Sequence, residues 1–232
     1  MANRYDVNDT NWEVVPMPPL WDKYHPRNWS EVVGQDAPIA EIRETLKGGW
    51  GGRAWWIVGK SGTGCTTIAR LIACEGAHKT RVRSVTGNHV DAAMAMRIAT
   101  ENPGKEKKVA NRAYIIDCPA WLSPEPAQLL SCALPALYKN ICVIFTTTKE
   151  GEADCLTNPG LYHELIGSCL RIELAQEGLE EHFAKRCNEI AKQEGLEDMD
   201  LSYYVALARR YNCSMRAMLN KIAQEVSKNR RS

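Results

Sequence analysis

The chain has 232 residues, of which 44% are hydrophobic and 25% are charged, so it is long enough for one large domain or for a medium domain with a smaller one. The formal net charge of +1 indicates no particular class of partner. No run of about 18 apolar residues is present to span a membrane, and the first 15 residues lack the apolar core of a signal peptide. We therefore expect a cytoplasmic protein without a membrane partner.

Nine cysteines occur without a C-x-x-C pair. This usage predicts reduced, mostly buried thiols and gives no support to a zinc site.

The first elements lead up to a strand. Residues 1–15 are polar and predict a loose extension, and the proline-rich stretch 16–26 predicts an extended arm pinned by Trp21 and Tyr24. We expect Ser30 to cap a short turn, and the spacing of apolar residues predicts a helix over 38–46.

A glycine-rich loop follows the apolar run 54–58 and opens into a helical pattern. The phosphate-loop pattern is G-x-x-x-x-G-K-[ST], in which backbone N–H groups hold phosphate oxygens, the lysine reaches the β and γ phosphates, and the hydroxyl holds Mg²⁺. Cys65 stands in place of the lysine. The candidate nucleotide-binding residues of this loop are Gly59, Gly62, Thr63, Gly64, Cys65, Thr66 and Thr67.

Four further strands are predicted downstream, at 81–85, 113–117, 141–146 and 169–174, with helices at 90–99 and 125–138 and loops at 101–111 and 147–159. Strands that alternate with helices indicate a parallel α/β sheet. Asp117 ends one of these strands, where an aspartate can order Mg²⁺ beside Thr66 or can simply cap a helix.

After residue 175 no strand is predicted, and three helices are expected at 179–193, 201–211 and 214–226. We therefore predict an α/β domain over 16–175 and a small helical lid domain over 176–232. The lid is basic, either as a DNA-contacting surface or as a solvated helix face with a frayed tail. Its candidate DNA-binding residues are Arg209, Arg210, Lys221 and Lys228.

Several motifs together resemble the clamp-loader family of AAA+ ATPases, which includes replication factor C small subunits and the bacterial gamma and delta-prime subunits. WDKYHPRNWSEVVGQ is similar to the W-x-x-K-Y-R-P opening of that family, GKSGTGCTT to its phosphate loop, and AYIIDCPAWL to its strand ending in D-E-A. ICVIFTTT falls at the sensor-1 strand, LIGSCLRIEL at the S-R-C segment, and NCSMRAMLNKI at the sensor-2 helix. The resemblance implies an AAA+ fold and adenine-nucleotide contacts from Tyr24, Pro26, Val33 and Arg216.

The departures from the family pattern fall at the catalytic positions. Cys65 replaces the phosphate-loop lysine, Cys118 replaces the catalytic glutamate, and Ser168 replaces the arginine that acts on a neighbouring subunit. All three would meet around the γ phosphate. Because phosphoryl transfer depends on positioning and charge, with one arginine worth about 10³–10⁵ in rate, we expect no catalytic residues and hydrolysis near background. ATP or ADP with Mg²⁺, held by Thr66 and Asp117, remains possible.

The resemblance implies a non-hydrolysing, stator-like subunit in DNA replication or repair, with other clamp-loader subunits and a sliding clamp as partners. The chain ends at Ser232 without the family's helical collar, which suggests a truncated form such as a phage or mobile element could carry. Three alternatives stay open: a DNA-binding accessory protein, a weakly active ATP-binding protein, or a site in which Cys65 and Cys118 form a disulfide or bind a soft metal.

Overall fold

The computed structural model describes residues 19–100, 110–157, 159–196 and 199–229. The predicted extension at 1–15 and most of the predicted charged loop at 101–111 lie outside these ranges. The described chain is built around a five-stranded parallel sheet with the order β2-β3-β4-β1-β5. The strands are β1 (Arg53–Val58), β2 (Val82–Thr86), β3 (Arg112–Asp117), β4 (Ile141–Thr147) and β5 (Cys169–Glu173).

The helices in the described ranges are α1 (Leu20–Lys23), α2 (Asp36–Lys47), α3 (Cys65–Gly76), α4 (Ala92–Thr100), α5 (Pro124–Ala133), α6 (Lys149–Leu156), α7 (Pro159–Gly167), α8 (Glu180–Gln193), α9 (Leu201–Arg210) and α10 (Met215–Asn229). None of them combines the length and the apolarity needed to cross a membrane.

The central strands are buried on both faces because helices cover both sides of the sheet. All seven residues of β4 are buried, as expected for a strand inside a parallel sheet. Along β1 the side chains alternate, so that Trp56 packs with α4 and α5 while Trp55 packs with α2 and α3. The Trp56 ring also meets the Phe145 ring at 5.4 Å between centroids. These two layers hold the sheet and fix the direction of its strand ends.

Helices α8, α9 and α10, called the lid below, form a separate apolar cluster. Its centre contains Phe183, Tyr204 and Met218, all buried. Leu20 from α1 packs into the same cluster, and Tyr24 lies partly buried against it. The N-terminal arm is therefore attached to the lid and spans the gap between the lid and the sheet.

Buried Gln35 joins the sheet module to the start of the lid. Its side-chain oxygen accepts from the N–H of Ala175 at 2.8 Å, and its side-chain nitrogen donates to the carbonyl of Ala175 at 3.1 Å and to that of Thr63 at 3.4 Å. One residue thus satisfies backbone groups of both the glycine-rich loop and the segment before α8.

The predicted fold class is confirmed: a parallel α/β module followed by three helices. All five strands lie within two residues of the predicted bounds. The division at residue 175 stays a prediction. The expectation of a loop over 147–159 was wrong, because α6 occupies Lys149–Leu156 with Thr148 as its cap.

Two smaller predictions near the N-terminus were also wrong. The arm is not extended throughout, since Leu20–Lys23 forms a single helical turn after Pro19. The short turn at Trp29–Glu31 is capped by Asn28, whose side chain accepts from the N–H of Ser30, so Ser30 is not the cap.

Candidate nucleotide site

The candidate site is a cavity of about 420 Å³ at the carboxyl ends of the strands. In parallel α/β sheets ligands bind at this edge. The glycine-rich loop after β1 forms one wall, the ends of β3 and β4 form the floor, and the arm and the lid close the other sides. All the nucleotide-binding candidates of the sequence line this cavity: Gly59, Gly62, Thr63, Gly64, Cys65, Thr66, Thr67, Asp117, Tyr24, Pro26, Val33 and Arg216.

The loop has the backbone of a phosphate cradle. Gly62 and Gly64 have φ angles of +85° and +113°, in the left-handed region that glycine adopts without strain. A side chain on Gly62 would have no room, since an added Cβ would come within 2.2 Å of Oγ of Ser214 at the start of the lid helix α10. The loop thus bends around the site and is in direct contact with the lid.

Cys65 begins α3, where the N-terminal helix dipole attracts anions. Its thiol donates to the carbonyl oxygen of Thr147 at 3.9 Å, so the sulfur points toward the sheet. Burial raises the pKa of the Cys65 thiol to about 11, with the nearby Asp117 carboxylate as a smaller cause. At neutral pH Cys65 is therefore an uncharged thiol and brings neither a cation nor a thiolate to the site.

Thr66 and Asp117 lie together as the motif requires. The Thr66 hydroxyl donates to Oδ1 of Asp117 at 3.2 Å, and the hydroxyl of buried Thr146 donates to the same oxygen. The hydroxyl and carboxylate oxygens are the ligands that Mg²⁺ prefers. These residues therefore fit a Mg²⁺ ion held next to nucleotide phosphates.

Cys118 follows Asp117 at the rim of the cavity. Its φ angle of +52° is unusual for a residue with a side chain, and its N–H donates to the carbonyl of Thr146 at 2.9 Å. Burial raises the pKa of its thiol, so it too is neutral. Cys65 and Cys118 are both free thiols in this structure, and both line the cavity.

Comparison with known proteins identifies the fold. No protein-family model and no curated protein matches the sequence. Among solved structures, three mutants of RuvB from Thermotoga maritima match with a TM-score of 0.61 and 19% identity, over 87%, 86% and 86% of this chain. The chain therefore has the fold of these RuvB structures, with a five-stranded parallel sheet between helices. It spans 65%, 64% and 64% of the length of those RuvB chains, and at this identity the likeness concerns the fold alone.

The adenine-side candidates lie on the N-terminal arm and, for Arg216, on the lid helix α10. Tyr24 has its hydroxyl committed to the lid, where it donates to Glu194 at 2.7 Å. The guanidinium of Arg216 lies over the ring of Trp21 at 5.6 Å from its centroid, so a cation of the lid contacts the arm. Both contacts bring the arm and the lid together around the space for a base.

Four basic residues that line the cavity were missed by sequence reasoning: Lys60, Arg70, Arg186 and His25. Lys60 lies in the glycine-rich loop, with its ammonium group 3.5 Å from the amide oxygen of Asn212. Nε2 of His25 is buried without a hydrogen-bond partner among the described residues, and burial, with Arg70 nearby, lowers its pKa. Lys60 and His25 were visible as cationic residue types inside matched motifs, whereas Arg70 and Arg186 gave no signal.

The structure does not bring Ser168 to the site. Its hydroxyl donates to the carbonyl of Glu164 at 2.8 Å, and neither Ser168 nor Arg171 lines the cavity. Arg171 makes two bonds of 2.8 Å to Glu152 and one of 3.1 Å to Glu173. Within this chain only Cys65 and Cys118 line the cavity. A meeting of all three positions around one γ phosphate would need Ser168 of a neighbouring subunit, and it stays a prediction.

The candidate DNA-binding residues are spread over two helices. Arg209 and Arg210 are exposed in the last turn of α9, while Lys221 pairs with Glu225 at 3.2 Å on α10. Lys228 lies 13 residues after Met215, at the far end of α10, which is about 20 Å along the helix. These cations therefore do not form one compact patch.

Proposed function

We propose that this chain is a nucleotide-binding AAA+ subunit that does not hydrolyse ATP and acts as a stator-like member of a clamp-loader-like assembly in DNA replication or repair. One observation carries the proposal. The phosphate cradle keeps its backbone and its Thr66–Asp117 pair, while Cys65, where the lysine belongs, is a half-buried and neutral thiol.

Binding of ATP or ADP rests on the cradle and on the cations around it. The positive φ angles of Gly62 and Gly64 direct the loop around the space for phosphates, and α3 points its N-terminus there. Lys60, Arg70 and Arg216 line the cavity and supply positive charge that Cys65 does not. We expect binding weaker than with a loop lysine, and dependent on Mg²⁺ through Thr66 and Asp117.

The proposed absence of ATP hydrolysis is based on charged groups that the site lacks. Phosphoryl transfer needs cations on the equatorial oxygens and a residue that orients the attacking water. Cys118 offers no carboxylate for that water, and Arg171 is held in ion pairs on the edge strand β5, where its guanidinium engages Glu152 and Glu173. A protein with these replacements can hold a nucleotide as a structural ligand.

The clamp-loader assignment is supported by the order of the motifs from the arm to α10, and the RuvB-like fold agrees with a DNA-related AAA+ role. The partners proposed are other clamp-loader subunits and a sliding clamp. A bound nucleotide would join the arm, the loop and the lid into one rigid body, which is what a stator needs.

The test is a nucleotide titration combined with a hydrolysis assay, on the wild-type protein and on the Cys65→Lys/Cys118→Glu variant. We expect wild-type protein to bind ADP and ATP in a Mg²⁺-dependent manner and to release phosphate no faster than buffer. The double variant restores the missing cation and carboxylate, and we expect tighter ATP binding by about tenfold or more, as for a charge-assisted phosphate contact.

The matched control is Cys74→Lys/Cys132→Glu, which makes the same chemical changes at two exposed cysteines away from the cavity. It should bind nucleotide like the wild type. Phosphate release by wild-type protein well above buffer would overturn the non-hydrolysing role and favour a weakly active ATPase. Absence of any nucleotide binding at millimolar concentration would overturn the nucleotide site itself.

A further inference from the structure

A second cavity lies at the opposite end of the sheet from the nucleotide site. It has a volume of about 430 Å³ and four arginines among its lining residues, and it is called the arginine cavity below. β3 begins at Arg112, which lines this cavity, and ends at Asp117, which lines the nucleotide site. The two sites are thus separated by the length of that strand, about 17 Å. The described lining of the arginine cavity is Thr80, Arg81, Val82, Arg83, Arg97, Arg112 and Tyr114.

The sheet register explains why these arginines converge. Arg83 on the edge strand β2 pairs with Tyr114 on β3, so their side chains share one face of the sheet. Arg112 lies two residues before Tyr114 on β3 and points to the same face. Arg81 lies in the helical turn Lys79–Arg81, directly before β2, and also lines the cavity. Helix α4 packs on that face and adds Arg97 from its last turn. Four elements therefore direct arginines into one concave space.

Three of the four arginines of the arginine cavity carry a positive charge that no carboxylate among the described residues balances. None of its described lining residues is a carboxylate, and Arg81, Arg83 and Arg97 form no ion pair with any described residue. By contrast, Arg171 on the other edge strand, β5, forms ion pairs with two glutamates. Like charges held close together repel one another, so a bound anion would relieve the repulsion.

We propose that the arginine cavity binds phosphate groups, with a nucleic-acid backbone as their source. The guanidinium fork matches the geometry of phosphate oxygens and binds them in a bidentate manner. Arg81, in the turn directly before β2, and Arg83, in the strand itself, are both exposed at this edge of the sheet. A row of that kind at an exposed edge can follow a chain of phosphates. The site is independent of nucleotide binding at the glycine-rich loop.

The test is the salt dependence of binding to fluorescent single-stranded and duplex DNA of about 20 nucleotides or base pairs. For the wild-type protein we expect the logarithm of the association constant to fall linearly with the logarithm of the salt concentration. In the Arg81→Gln/Arg83→Gln/Arg97→Gln variant the magnitude of that slope should decrease by about two to three, which is about one for each lost phosphate contact. Binding at low salt should weaken roughly 10- to 100-fold.

The matched control neutralises three exposed cations elsewhere, Arg43→Gln/Lys47→Gln/Lys185→Gln, and should leave the slope close to that of wild type. A second variant, Arg81→Lys/Arg83→Lys/Arg97→Lys, keeps the charge and loses the fork, so it should keep the slope and bind about threefold to tenfold more weakly. The lysine variant also keeps the test valid if the neutral one folds poorly.

Calorimetry with inorganic phosphate distinguishes the two sources of the ligand. If phosphate binds wild-type protein and not the neutral variant, while DNA does not bind, the site is a phosphate site and its ligand is a free anion. Equal DNA and phosphate binding by the wild type and the neutral variant would overturn the proposal. Binding of polyglutamate alone, lost in the neutral variant, would also overturn it and assign the cavity to an acidic protein.

Discussion

The two ends of the sheet differ in the charge of the side chains that line their cavities. At the carboxyl end, Cys65 and Cys118 are neutral thiols in a cavity whose backbone is shaped for phosphates. At the amino end, Arg81, Arg83 and Arg97 have no described carboxylate partner. The carboxyl end keeps the backbone of a phosphate site but has a neutral thiol where its loop would carry a lysine, whereas the amino end has arginines without the loop motif. The same sheet therefore offers two distinct ways to hold phosphate, one by backbone and one by side chains.

The largest effect is expected at the carboxyl end from Gly62→Ala. The new methyl group would meet Oγ of Ser214 at 2.2 Å, and the left-handed φ of +85° adds a further cost. Left-handed backbone at a residue other than glycine costs about 1–2 kcal/mol, and the displaced lid contact should bring the loss in free energy of unfolding to about 3 kcal/mol. Urea unfolding measures the loss, and nucleotide titration should show weaker binding.

Gly64→Ala is the matched control, because Gly64 also has a left-handed φ but an added Cβ would meet nothing within 4 Å. Its cost should be the backbone strain alone, about 1–2 kcal/mol. Adding Ser214→Gly to Gly62→Ala should recover part of the difference between the two variants, because the Cα of Ser214 would still lie 3.0 Å from the new methyl group. If Gly62→Ala were no worse than Gly64→Ala, the contact between the loop and the lid would not hold the cavity closed.

A smaller effect, which depends on pH, is expected from His25 in the same cavity. Burial and the neighbouring Arg70 and Arg216 lower its pKa, and Asp22 opposes them. The unfolded chain therefore takes up this proton first as the pH falls through about 6.5, so the free energy of unfolding is full above that value and declines below it. Because His25 is only half-buried, we expect it to contribute about 0.5 kcal/mol to the decrease in the free energy of unfolding between pH 7.5 and 5.5.

Urea unfolding at pH 7.5 and 5.5 measures this contribution, which should be absent in His25→Gln. His163→Gln, at an exposed side chain on α7, is the control and should keep the pH dependence of the wild type. An equal pH slope in the wild type and His25→Gln would show that the buried imidazole is not held neutral by its surroundings.

The sequence predicted the sheet and the phosphate loop because both depend on local patterns. Apolar runs mark β1 and β4, and glycine spacing marks the loop. Helix α6 was not predicted, since Gly151 lies inside it and Cys155 is its one fully buried side chain, which leaves no apolar stripe. Weak local signals of this kind are overridden by packing, here between α6 and the neighbouring α7.

Site residues that depend on contacts between distant segments were also beyond prediction. Gln35 is 140 residues from Ala175, which it binds, and Ser214 meets Gly62 only after the lid folds back. The arginine cavity likewise follows from the pairing of β2 with β3 and from the position of α4. No spacing of arginines along the chain indicates it.

The smallest effect is expected at the amino end of the sheet. Here the substitution should increase the stability of the protein, whereas the preceding changes decrease it. If Arg81, Arg83 and Arg97 repel one another without a stabilising partner, replacing all three by glutamine should raise the free energy of unfolding in low salt, by about 0.3 kcal/mol. The gain should vanish in 1 M salt, where screening acts over about 3 Å. Urea unfolding at both salt concentrations measures it. A loss of stability in low salt would instead show that these arginines contribute to the fold, as Arg171 does through its ion pairs, and would remove the contrast between the two ends.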